Sequence, residues 1–310
     1  MISAKRKIEF NRLWTDVKRK KLLLLMLVLP VSWYVIFCYL PMFGVVIAFK
    51  DFSLRKGIWG SEWVGLAHFQ RFISHPYFYR LIRNTFLLSI YSMIFSFPLP
   101  IILALMINEL RSAAYKKIVQ TISYLPHFIS TVAIVGMVVL MLSPTTGFVN
   151  KMLTMIGIEP IYFMIEKSWF RTIYIASGVW QSVGWSAIIY LASLAGVNPE
   201  LYEAATIDGA TRLQRIRHIN IPGIKNTIMI LMILNLGSML SVGSEKVLLM
   251  YNEMTYETAD VISTYIFRVG LLHAEYSYST AVGLMNSVIN MFLLIIANNL
   301  SRRFADFSLW

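Results

Sequence analysis

Glu203, Ala204, Ala205, Asp208 and Gly209 stand close together in a polar segment between two long apolar runs, and Pro222 closes that segment. Two acids, two small residues and a glycine at this spacing supply no nucleophile, no base beside one and no metal cage. They suit docking. Asn198-Pro199-Glu200 reads as a helix start: asparagine caps free amides, proline fits the first turn, and an acid favours the positive helix end. Asp208-Gly209 interrupts that helix, because glycine adopts backbone angles that strain other residues. A second short helix is predicted from about Thr211 to Asn220, ending near Pro222, since proline disfavours helical geometry in the residue before it. Two short helices around a glycine turn make a knob shaped for a groove on another protein.

A second set of polar residues lies inside apolar runs: Trp180, Gln181 and Trp185, then Asn235 and Ser238, then Asn286 and Asn290 one helical turn apart. Aromatic faces and amides are what hold sugars, and polar side chains at membrane depth are costly enough to point to function. As a set these residues are candidates for the lining of a solute pathway. Taken singly, each serves at least as well as a helix–helix hydrogen bond of about 0.6–2 kcal/mol. Metal and thiol chemistry find no support. The five histidines show no i,i+4 pair and no His-Glu-x-x-His, and the single Cys38 sits in an apolar run as a packing residue.

The elements that must carry these residues are membrane spans. The chain is 57% hydrophobic and only 14% charged, with a mean hydropathy of +0.63, too apolar for ordinary soluble surface chemistry. Six runs reach the ~20 residues a helix needs to cross a bilayer: 22–49, 85–107, 122–142, 172–194, 227–242 with an open C-terminal boundary, and 280–300. The first is preceded by heavy positive charge without a small-residue cleavage site, and reads as a retained span rather than a removable leader. Pro30, Pro41, Pro98, Pro100 and Pro126 fall inside or at the edges of spans, where neighbouring helices can satisfy the freed backbone groups.

Charge sets the orientation. The tail holds Lys5, Arg6, Lys7, Arg12, Lys18, Arg19, Lys20 and Lys21, and alternation of spans brings Arg111, Lys116, Lys117, Arg212, Arg215, Arg217, Lys225, Arg302 and Arg303 to the same side. That is seventeen of the 28 basic residues. Both termini and the glycine-turn loop are therefore expected in the cytoplasm, with Arg212, Arg215 and Arg217 at anionic headgroups. On the other side, 68–83 reads as an interfacial helix and 258–272 as a helix with apolar residues at helical spacing. The +12 net charge comes with no nucleic-acid motif. An intramembrane enzyme lacks its residues, and a secondary transporter lacks an inverted repeat or a buried carboxylate pair.

The spacing Glu-Ala-Ala, three residues, Gly, nine residues, Ile, one residue, aliphatic, Pro resembles the "EAA" coupling loop of binding-protein-dependent (maltose-type) ABC importer permeases. Leu142-Ser143-Pro144, Gly147-Phe148-Val149-Asn150, Leu153 and Gly157 are similar to the connection after the third span in sugar-importing members. The strings 245–252, 256–265 and 276–284 and the ending Ser308-Leu309-Trp310 resemble a narrower group, the polysaccharide and complex-oligosaccharide permeases. The likeness runs from about residue 20 to the end, and Ile221 stands where the family usually has Leu.

The resemblance implies an all-α membrane protein with six transmembrane helices, cytoplasmic N and C termini and the type I ABC importer permease fold. It divides the chain into a basic tail, 1–21, and a transmembrane domain, 22–310, with the coupling loop at 198–222. It implies a non-catalytic subunit, multi-pass in a bacterial plasma membrane, that imports oligosaccharides or polysaccharide fragments; shorter sugars or glycerol-phosphate-like solutes are the alternative. Its partners would be a second, homologous permease, a dimer of cytoplasmic ATP-binding subunits, an extracellular solute-binding lipoprotein and the lipid bilayer, with no nucleic acid. No cofactor would bind this chain, and ATP and Mg would sit on the partner ATPase. Glu203, Ala204, Ala205, Asp208, Gly209 and Pro222 would then form the ATPase-coupling surface.

Overall fold

The computed structural model describes residues 19–237 and 243–305. The strongly apolar N-terminal run forms one rod, Lys21–Phe49. It widens over Val35–Tyr39, just before Pro41, and tightens over Phe43–Phe49. None of Lys21–Met42 is buried; only Ala48, near the far end, is enclosed. That far end packs on the last helix, Tyr276–Ala305. Beyond it, Lys50–Asp51 pairs antiparallel with Glu62–Trp63 in a minimal ribbon.

The expected interfacial helix over 68–83 is two elements. Ala67–Ile73 is a short helix, and Ser74-His75-Pro76 breaks it before Phe78. Proline keeps His75 out of helical geometry and cannot donate its own amide. The next helix runs Phe78–Asn108 without a break large enough to divide it as a span. It therefore starts seven residues before the apolar run at 85, carrying Arg80 and Arg83 in its first turns.

Span 122–142 is not one helix. Ala113–Phe128 and Thr131–Met141 meet at 102°. Pro126 lies in the tight turn Leu125–Phe128, Ile129 is extended, and Ser130 restarts the helix by accepting the Ala133 amide at 3.3 Å. The freed Ile129 carbonyl accepts from Gln181 Nε2 at 3.1 Å, so the corner's backbone is satisfied from outside the segment, as lipid depth requires.

Phe170–Ala195 is the hub, a 26-residue helix that touches Phe78–Ser96, Pro98–Asn108, Ala113–Tyr124, Thr131–Met141 and Lys225–Gly237. A Cβ at Gly184 would overlap the Ser123 main chain, so glycine there sets how closely Ala113–Tyr124 approaches, as small residues do at membrane helix interfaces. Lys225–Gly237 leaves Arg212–Gly223 at 63°. The expected end of that span, with the pathway candidate Ser238, lies outside the described residues. The outer helix expected over 258–272 divides into Tyr256–Ala259 and Ile262–Leu272, because Asp260 is drawn into a buried ion pair at the break.

Three clusters hold the bundle. Ala104, Leu105, Ala187, Tyr190, Leu194 and Ile224 lie beside the glycine-turn loop. Leu88, Val135, Ile173, Ile175, Val247 and Met250 form the middle. Phe72, Leu81, Ile262, Tyr265, Val269, Tyr278 and Val282 form a cap. By length and apolarity Lys21–Phe49, Phe78–Asn108 and Tyr276–Ile296 can each cross a bilayer, and the number reaches five if each of the two bent pairs is a single broken span rather than a re-entrant loop.

Candidate functional site

The knob is built by local chemistry. Asn198 Oδ1 accepts the Glu200 amide at 3.1 Å and opens the helix Pro199–Ile207. That helix closes with the Ala210 amide on the Ala205 carbonyl at 2.8 Å and the Gly209 amide on the Thr206 carbonyl at 3.2 Å. This double closure requires a left-handed residue, and Gly209 supplies it at φ +71°. Thr211 and Gln214 then cap the next helix reciprocally: the Gln214 amide donates to Thr211 Oγ1 and the Thr211 amide donates to Gln214 Oε1. Residues Arg212–Gly223 are helical and end one residue past Pro222, where the sequence places the boundary.

Glu203, Ala204, Asp208, Gly209 and Pro222 are exposed and Ala205 half-buried. No basic side chain lies within ion-pair distance of Glu203 or Asp208 among the described residues. Two apolar residues flank the turn in the open: Ile207, 87% exposed, and Leu213, 74% exposed. Sequence reasoning missed them because an isolated apolar residue in a polar loop carries no signal of its own. With two acids and two apolar side chains uncovered, this is a surface shaped to be covered.

The knob is pinned from behind. Tyr202 donates to Asn220 Oδ1 at 2.7 Å, and Asn220, fully buried, reaches Glu109 Oε1 at 3.4 Å. Arg215 closes on the other Glu109 oxygen at 3.1 Å. Glu109 directly follows Phe78–Asn108, so the loop is locked to the end of that span. Arg215 therefore answers a carboxylate and is not a headgroup anchor, while Arg212 and Arg217 remain exposed. Tyr202, Arg212 and Arg215 also line a cleft of about 430 Å³ with Asn108, Glu109 and Arg111.

Among the described residues, the pathway candidates line more than one recess. Trp180 lines a groove of about 660 Å³ with Tyr91, Phe95 and Arg171. Trp185 and Asn235 share another recess of about 420 Å³; the Trp185 ring stacks on His127 at 4.5 Å, and Asn235 donates to the Leu231 carbonyl at 2.8 Å. Gln181 serves the corner at Ile129. Asn286 and Asn290 lie half-buried on Tyr276–Ala305, and the Asn286 Oδ1 atom is buried without a hydrogen-bond partner. Among the described residues no three His, Cys, Asp or Glu side chains converge as metal ligands do.

Charges at the cap end escaped the sequence reading, because their partners are distant along the chain. Asp260, fully buried, holds Arg268 at 2.7 Å and Arg80 at 3.5 Å. Glu275 takes both terminal nitrogens of Arg71, and that hydrogen bond raises the Arg71 pKa. Glu257 accepts from Lys167 at 2.7 Å, which pulls its carboxyl below the usual range. Lys246, nearly buried, donates to the Tyr174 carbonyl at 2.8 Å and stands 4.8 Å over the same ring, a cation–π contact.

A bundle of long, bent apolar helices carrying a pinned, uncovered knob is the architecture of a multi-pass membrane protein. The chain belongs to the family of binding-protein-dependent transport system inner membrane components, whose model matches residues 96–306. It is 44% identical to Protein LplB of Bacillus subtilis (strain 168) over 288 residues, 93% of this chain and 91% of that one. It is 42% identical to the polygalacturonan/rhamnogalacturonan transport system permease protein YteP of the same organism, over 96% of this chain and 92% of that one. Among solved structures, a chain of a bacterial ABC transporter involved in the import of the acidic polysaccharide alginate superposes with a TM-score of 0.88 at 48% identity. The match covers 95% of this chain and 99% of that one. A second structure of the bacterial alginate ABC transporter, in complex with alginate pentasaccharide-bound periplasmic protein, matches at 47% identity and a TM-score of 0.88. It covers 96% of this chain and 100% of that one.

Proposed function

We propose that the chain is one of two permease subunits of an ATP-driven importer that carries oligosaccharides or polysaccharide fragments across a bacterial plasma membrane. The likeness to the alginate importer along nearly the whole chain carries this reading. Six spans place both termini and the knob in the cytoplasm. Phe170–Ala195, fourth along the chain and about 39 Å long at 1.5 Å per residue, completes the six. Its serines, Gln181 and Arg171 make it less apolar than the rest, which a helix surrounded by others tolerates.

The chain performs no catalysis in this reading. ATP and Mg bind a dimer of partner ATPases, and the knob sits in a groove on one of them. There Glu203 meets a basic residue, Ala204 and Ala205 allow close approach, Asp208 and Gly209 shape the turn, and Ile207 and Leu213 fill apolar pockets. Nucleotide-driven closure of the ATPases moves the knob, and the Glu109–Arg215–Asn220 lock passes that motion to the span ending at Asn108. A homologous permease completes the pore, and a solute-binding protein delivers sugar at the cap. Two states biased differently by nucleotide and substrate are what such coupling requires.

The test is Gly209→Pro and, separately, Glu203→Lys in the reconstituted importer. Proline cannot reach φ +71°, so Gly209→Pro destroys the turn. Uptake should fall at least tenfold in each variant with membrane insertion intact. Normal uptake at normal insertion would remove the knob from the coupling path.

A further inference from the structure

We infer that the groove between Phe78–Ser96 and Phe170–Ala195 is a subsite for the carboxylate of a uronic-acid sugar, with Arg171 as its anion receptor and Tyr91, Phe95 and Trp180 as its stacking walls. The inference deepens the importer reading above and rests on it. Arg171 has no carboxylate within ion-pair reach among the described residues. One of its terminal nitrogens donates to Asn84 Oδ1 at 3.0 Å, while its Nε atom is buried without an acceptor. Asn84 is itself fixed, donating to the carbonyls of Glu257 and Asp260 at 2.9 and 3.1 Å. The guanidinium is therefore held through one terminal nitrogen, while the other bonds no protein group among the described residues, and Arg83 lies near enough to act on it electrostatically.

Arg171 carries no carboxylate of its own, and a cation without a counterion is unfavourable at the edge of a bilayer unless an anion visits. The two acids whose carbonyls hold Asn84 are engaged elsewhere, Asp260 by Arg268 and Arg80 and Glu257 by Lys167. The walls match a sugar. Tyr91, Phe95 and Trp180 are 39%, 50% and 47% exposed, and aromatic faces offer apolar area to a pyranose while their edges remain compatible with its hydroxyls. Ser168 and Thr172 add hydroxyls to the same groove. The guanidinium charge selects a carboxylate over a neutral hydroxymethyl group. The groove therefore distinguishes acidic from neutral glycans.

The experiment is calorimetry on the assembled importer in nanodiscs of zwitterionic lipid, which removes anionic headgroups as competitors. Trigalacturonate is compared with its fully methyl-esterified form, the same sugar without charge. Wild type should bind the acid at least tenfold more tightly than the ester. Arg171→Gln keeps a donor for Asn84 and should abolish that preference, and Arg171→Lys should restore part of it. Phe95→Ala, at an exposed wall, should weaken both trimers alike. Equal affinity for acid and ester in wild type, an undiminished preference in Arg171→Gln, or no effect of Phe95→Ala on either trimer overturns the subsite. Import of neutral oligosaccharides by wild type together with any of these results leaves the importer reading standing. Failure of wild type, supplied with ATP and binding protein, to import any glycan overturns that reading and the subsite with it.

Discussion

Arg215 on the knob closes on Glu109 at 3.1 Å, across 106 positions of the chain. Their side chains keep 24% and 13% exposure, and Asn220 fills the space beside them. Removing one partner leaves a partly buried charge without its counterion, at a cost of about 1–3 kcal/mol after discounting the fully buried case for solvent screening. Glu109→Gln and Arg215→Gln should each lower the unfolding temperature of the purified permease. Their combination should cost less than the sum of the two. Strict additivity in that double-mutant cycle would mean the pair contributes no coupling.

Gly184 faces the Ser123 main chain with no room for a Cβ. Gly184→Ala must push Ala113–Tyr124 away from Phe170–Ala195, and such overpacking costs about 1–3 kcal/mol. Thermal unfolding in detergent should register the loss. An unchanged midpoint would show that the two helices separate freely.

Asp260 is fully buried between Arg268 and Arg80. Arg268→Met leaves it one cation at 3.5 Å, and breaking a buried pair costs about 3–5 kcal/mol. The double variant Arg268→Met/Asp260→Asn removes the stranded charge and should recover much of that loss. Equal stability of the single and double variants would contradict the assignment.

His75 sits below its ordinary pKa, first through partial burial and then through Arg71 and Arg80. Its Nδ1 accepts the Tyr77 amide at 3.2 Å, a bond that favours the neutral ring. The unfolded chain therefore takes up this proton first as pH falls below about 6.5. The contribution of the neutral ring to stability is complete above that pH and is lost progressively as pH falls towards the lower folded value. The melting temperature should drop between pH 7 and 5, and His75→Gln should shrink the drop. An identical pH profile for the variant would assign the drop to other groups.

The knob was legible because its determinants act within a few residues: Asn198 caps Glu200, and the turn at Gly209 brings the Gly209 and Ala210 amides onto carbonyls three and five positions back. Most membrane runs were legible from apolarity alone. The corner at Ile129 was not, because the amide that satisfies it belongs to Gln181, 52 residues later; a reading of Gln181 as pathway lining had no means of seeing that carbonyl. Likewise Asn150, recognised only as part of a familiar string, places its amide nitrogen within 3.1 Å of the Leu142, Ser143 and Ile161 carbonyls and accepts the Ile161 amide. Local propensity reports what a residue prefers, whereas these roles depend on what arrives from elsewhere.

The 102° meeting of Ala113–Phe128 and Thr131–Met141 gives this pair the shape of a crank. Turning one arm about its own axis sweeps the other through an arc, which a straight rod cannot do. Gln181 holds the elbow's open carbonyl, so the sweep breaks no ladder of amide bonds. Ser244–Met250, with Lys246, packs directly on the Thr131–Met141 arm, so a turn of the other arm would carry it sideways.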